Sequence, residues 1–140
     1  MKKVTWVKKP QNFFGISALY VNIETGEKIQ ELDNGSCFVF NSTKPASKPL
    51  EFIAPKMFDR WDFWPGSNYD EIPTIGNYCC DGDGFVVVEL MVDGTIRLLD
   101  QGVYMLDLSD DIDQAMSQAA KYVFEQWPDI YEARLLVESD

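Results

Sequence analysis

The sequence predicts an α+β fold: a mostly antiparallel β-sheet, made of a meander and hairpins, packed by one C-terminal amphipathic helix that a final strand follows. Three observations predict it. Short runs of alternating apolar residues recur between turn signals. Between Ile112 and Trp127 the apolar spacing changes to three and four residues, the period of a helix. After Pro128 the alternation returns.

The elements follow in order. Ile16 to Ile23 reads as a strand with Leu19, Val21 and Ile23 on one face. Thr25-Gly26 turns the chain, Lys28 to Leu32 returns, and Asp33-Asn34-Gly35 turns it again into Cys37 to Phe40. Trp6 and Val7 add a short edge strand, blunted by Lys8, Lys9 and Pro10. Residues 42 to 84 are punctuated by Pro45, Pro49, Pro55, Pro65 and Pro73, so long regular elements are not expected there. Leu50 to Ile53 is at most a short strand. Met57 to Tyr69 carries five aromatic residues in thirteen, the composition of a lid or a binding loop.

From Phe85 the strands resume. Val86, Val88, Leu90 and Val92 share a face that composition marks as buried. Asp93-Gly94 is the strongest hairpin signal in the chain. Thr95 to Leu99 follows, and Gln101-Gly102 turns into Val103 to Leu108. Ser109 or Asp110 then caps the helix, with Asp110, Asp111 and Asp113 in its first turn, where the dipole favours anions. Ile112, Ala115, Met116, Ala119, Val123, Phe124 and Trp127 form its apolar stripe. Pro128 stops it. Ile130 to Val137 alternates as a strand that pairs in the sheet.

The chain has 140 residues, which fits a single domain over residues 1–140. Cys37 stands alone and Cys79 and Cys80 are adjacent, so no disulfide framework is expected. With no signal-peptide pattern and no long apolar run, the chain reads as cytoplasmic.

The chemistry is narrow. The chain has no His, which removes the commonest general base and metal ligand. It has no P-loop, nucleophile elbow or dinucleotide fingerprint. Cys37 reads as a buried inert thiol, and Cys79-Cys80 makes half a zinc site at best. Asp81-Gly82-Asp83-Gly84 begins like a calcium loop, but the apolar residues after it offer no ligands, so it reads as a turn. Carboxylate pairs drawn from Asp62, Asp70, Glu71, Asp81 and Asp83 are too easily found to point to hydrolysis. No cofactor, no metal and no catalytic set are expected, and the protein reads more as a binder than as an enzyme.

Charge carries the functional reading. The net charge is -11, from 12 Lys+Arg and 23 Asp+Glu. Residues 1–60 hold nine Lys+Arg against six Asp+Glu, a net of +3; residues 61–140 hold three against seventeen, a net of −14. Such a field repels nucleic acid and anionic membrane and steers a basic protein. Proteins that handle nucleic acid present basic clefts. The expectation is therefore a small acidic inhibitor of a nuclease, toxin or defence-complex subunit. It would act as a toxin immunity protein or as a phage anti-CRISPR or other anti-defence protein that mimics DNA charge. The residues expected to meet the partner are Trp61, Asp62, Trp64, Tyr69, Asp70, Glu71, Asp81, Asp83, Asp107, Asp110, Asp111 and Asp113. The alternative is a small-ligand binding module or enzyme, with the aromatic loop as a lid over a pocket lined by Trp61, Phe63 and Trp64.

The order Asp93-Gly94 hairpin, Gly102 turn and acidic-capped helix is similar to the second half of the SUKH immunity superfamily. The likeness covers about a quarter to a third of the chain. A β-meander stands where that superfamily has a helical N-terminal part, and no residue role carries over.

Overall fold

Alternation and Gly-bearing turns build two separate antiparallel sheets, where the sequence suggests one. The structure is a computed structural model and describes residues 5–13, 15–66, 74–80 and 85–127. The first sheet has the order β1-β2-β3-β4, with β1 Trp6–Phe13, β2 Ile16–Asn22, β3 Lys28–Leu32 and β4 Cys37–Val39. The second has the order β5-β6-β7-β8-β9, with β5 Trp61–Pro65, β6 Thr74–Cys80, β7 Val86–Met91, β8 Ile96–Asp100 and β9 Val103–Asp107. Helix α1, Ile112–Gln126, follows β9. The fold is thus α+β and mostly antiparallel. The expected final strand, Ile130 to Val137, lies outside the described residues.

In the first sheet β2 is buried on both faces. Ala18 and Tyr20 join Ile29 in one small core, against which Trp6, Cys37 and Ala46 pack. Leu19 and Val21 are buried on the opposite face. The expected one-sided strand is corrected by its position: β2 is central, and the segment from Ala46 to Phe52 covers its second face, with the Phe52 ring edge-on to Tyr20 at 5.2 Å. Strand β1 does not stop at Val7. It runs on through Lys8, Lys9 and Pro10, because it is an outer strand where Pro costs no ladder bond on its open side. The segment Leu50 to Ile53 forms only one bridge, Ile53 to Val7.

The main core lies between the second sheet and the helix. Trp61, Phe63, Tyr78, Cys80, Val86, Val88, Ile96 and Leu98 face Ala115, Met116, Ala119, Ala120 and Val123. Burying a residue such as Phe63 or Leu98 fully stabilises the fold by about 1.5–3 kcal/mol each. Val7 of the first sheet enters this same core, which joins the two sheets.

The middle of the aromatic stretch is therefore a strand and not a loop. Trp61-Asp62-Phe63-Trp64-Pro65 alternates in and out as strand β5. Its partner strand β6 carries Gly76, where a Cβ would stand 2.3 Å from the Phe63 ring and 2.7 Å from the Trp64 carbonyl. Glycine is the residue that admits the ring. At the other end of the sheet, Gln101 (φ 53°) and Gly102 (φ 80°) form a two-residue turn with both φ values positive, the type I′ geometry that matches strand twist.

Candidate partner-binding surface

The expected site residues fall into four groups. Trp61 is a core residue, 6% exposed, so it is not a surface anchor. Phe63 is fully buried, so a pocket lined by Trp61, Phe63 and Trp64 is not formed. Tyr69, Asp70, Glu71, Asp81 and Asp83 lie outside the described residues. Asp62 and Trp64 stand on β5, whereas Asp107 ends β9 at the opposite edge of the sheet. Four strand spacings separate those edges, roughly 19 Å. Among the described residues, Asp62 is therefore remote from Asp107.

At the β5 edge the side chains satisfy one another. The Trp64 Nε1–H donates to Asp62 Oδ2 at 2.6 Å. Lys9 of β1 reaches across, its ammonium 3.8 Å from Asp62 Oδ1 and 3.0 Å from the Trp64 ring centroid. Lys9 is buried, and that burial lowers its pKa, while Asp62 acts to raise it. This cluster is a joint between the two sheets. Sequence spacing gives no sign of it, because Lys9 and Asp62 are far apart in the chain.

At the β9 edge the arrangement is open. Val103, Tyr104, Met105 and Leu106 are 61%, 50%, 47% and 41% exposed. Four consecutive exposed apolar residues are unusual in a strand, whose alternate side chains normally bury. A register shift falls within the strand: Leu98 pairs Leu106 and Leu99 pairs Tyr104, so Met105 bulges without a partner of its own. Beyond β9, Leu108 is buried and the chain turns outward into Asp110 and Asp111.

Asp111 is the helix cap, not Ser109 or Asp110. Its carboxylate accepts from the backbone N–H groups of Asp113 and Gln114 at 2.9 and 3.1 Å. The Ser109 side chain is turned to Gln114 Oε1 and its backbone N–H to Gln118 Oε1, which holds the approach to the helix. Asp113 pairs with Lys56 at 2.5 Å. Asp107 accepts from the Tyr104 hydroxyl at 2.9 Å. Asp107, Asp110, Asp111 and Asp113 are all exposed, so four of the expected twelve residues follow the four exposed apolar residues of β9 directly in the chain and are open to solvent.

A polar row runs across the sheet to Asp107. Trp64 pairs Asn77, Asn77 pairs Glu89, Glu89 pairs Arg97, and Arg97 pairs Asp107. Glu89 is fully buried and forms an ion pair with Arg97. The Arg97 guanidinium lies 5.2 Å from the Tyr104 ring centroid. Glu89 Oε2 and Asn77 Oδ1 are buried without a hydrogen-bond donor among the described residues. The row was missed in the sequence because neither Glu89 nor Arg97 belongs to any motif.

Cys37, Cys79 and Cys80 are free thiols, and burial raises the pKa of Cys37 and Cys79. A raised pKa makes a thiol a poor nucleophile. Among the described residues no three His, Cys, Asp or Glu side chains come together as a metal site needs. No helix there is long and apolar enough to cross a membrane. A cleft of about 340 Å³ opens between the sheets, lined mainly by Trp6, Ile23, Phe52, Ile53, Ile75 and Val92. No family model, no curated protein and no solved structure matches this chain.

Proposed function

We propose that this protein is a non-catalytic inhibitor that binds a basic partner protein, of the nucleic-acid-handling kind that immunity and anti-defence proteins neutralise. The single observation that supports it is a run of exposed residues: Val103, Tyr104, Met105 and Leu106 are followed in the chain by Asp107, Asp110, Asp111 and Asp113, all open to solvent. Carboxylates in solvent steer a basic protein, and the adjacent apolar side chains supply area that a complex can desolvate. Among the described residues, the one ion pair to these four carboxylates is Lys56 with Asp113.

The test uses the partner recovered from the native host at low salt. Association should slow steeply as salt rises, since exposed charges are screened within about 10 Å at 0.1 M. Asp110→Lys and Asp107→Lys should slow association and leave dissociation nearly unchanged. Asp111 is unsuited to this test, because its loss also uncaps the helix. Association that ignores both salt and the two reversals rejects the proposal.

A further inference from the structure

The outer edge of β9 has the features of a strand-binding site, and we propose that it takes an extended basic segment of the partner as a sixth strand of the second sheet. This rests on the reading of the protein as the binder of a basic partner. It goes further by naming the seat and the conformation of what sits there.

The backbone supports it first. Strand β9 ends the order β5-β6-β7-β8-β9, and no strand among the described residues pairs its outer side. Leu108 donates inward to Ile96 at 2.8 Å. By the alternation of an antiparallel ladder, Leu106 then also faces β8 and Asp107 presents its N–H and C=O outward. The two-residue turn makes Asp100 and Val103 a hydrogen-bonded pair, so Tyr104 faces outward too. An edge with open donors and acceptors is a template for another strand.

The side chains support it next. A guest strand lays alternate residues on the two faces of a sheet. On β9 the bulge at Met105 leaves apolar surface on both faces, so a guest finds contacts on either side.

Charge selects the guest. Asp107, Asp110, Asp111 and Asp113 follow β9 directly, and Asp100 precedes its turn. A Lys- or Arg-bearing segment meets opposite charge there. Two other occupants meet like charge. A second copy brings another chain of net -11 to the seam. Residues 128–140 of the same chain carry four acids and one arginine.

The experiment varies the guest and leaves the full-length protein unchanged. A peptide of about ten residues alternating Lys with Val and Ile, long enough for one strand, is titrated against the protein. Amide hydrogen exchange is read residue by residue. The Tyr104 and Asp107 amides should gain protection. A central proline, or Glu in place of every Lys, should weaken binding about tenfold or more. Equal protection by the Glu peptide overturns the proposal. So does a peptide that leaves both amides exchanging as before. A concentration-dependent dimer that protects β9 without peptide makes a second copy the occupant instead. Protection of the Tyr104 and Asp107 amides in the free monomer, before any peptide is added, makes another segment of this chain the occupant. If the native partner binds with steep salt dependence yet leaves β9 exchanging freely, the functional proposal stands and the edge is not its seat.

Discussion

The Lys9 ammonium lies 3.0 Å from the ring centroid of Trp64, and this contact ties the first sheet to the edge of the second. Asp62 completes the joint at 3.8 Å from the same nitrogen. Lys9→Ala should cost about 2 kcal/mol, because it removes a desolvated cation–π contact and the packing of a buried stem. Lys9→Met should cost less, since the stem packing survives. Urea midpoints measure both. A double-mutant cycle between Lys9 and Trp64 should return a coupling of about 1 kcal/mol, and a coupling near zero refutes the contact.

The Glu89–Arg97 pair should matter through its partner and not through its charge. Glu89→Ala strands Arg97 in a mostly buried setting and should cost about 3–5 kcal/mol. Replacing both residues with Met should recover most of that loss. The comparison is made by denaturant unfolding of the three variants. A double variant as unstable as the single one contradicts this account.

Gly76 should tolerate no side chain. The Cβ of Gly76→Ala would stand 2.3 Å from Phe63 Cζ and 2.7 Å from the Trp64 carbonyl oxygen. Overpacking of this kind costs about 1–3 kcal/mol. Adding Phe63→Leu should relieve the ring clash and recover part of the loss, but not the clash with the backbone. Thermal midpoints of the single and double variants decide it; a neutral Gly76→Ala speaks against the tight approach.

Stability should fall at alkaline pH through Tyr78. Burial pushes its hydroxyl from 10.0 up to about 12, and the hydroxyl donates to the Lys56 carbonyl at 2.5 Å. The unfolded chain loses this proton near pH 10, before the folded chain does. The folded state then binds more protons, so stability is full below pH 10 and is lost as pH rises to about 12. The loss is on the order of 2 kcal/mol. Lys9 acts in the opposite sense: its lowered pKa adds stability as pH climbs towards 10.5. Unfolding measured across this window should show a falling slope that Tyr78→Phe flattens. An unchanged slope in that variant assigns the effect to other groups.

The sequence alone determined the local elements. The Lys28 to Leu32 strand, the Asp93-Gly94 hairpin, the Gln101-Gly102 turn and the stripe Ala115, Met116, Ala119, Val123 were legible because each is specified within a few residues by alternation, turn chemistry or helical period. Strand β5 was hidden by the surrounding prolines, although Trp61, Phe63 and Pro65 alternate with Asp62 and Trp64. Only the tertiary structure decided the grouping of charges. Asp107, Asp110, Asp111 and Asp113 fall in one seven-residue stretch of the chain, and all four are exposed. Asp62 parts from them because four strand spacings intervene, and it turns to Lys9 because the first sheet packs on that edge. Strand order and sheet packing set distances between residues remote in sequence, and neither is written in the spacing of the residues themselves.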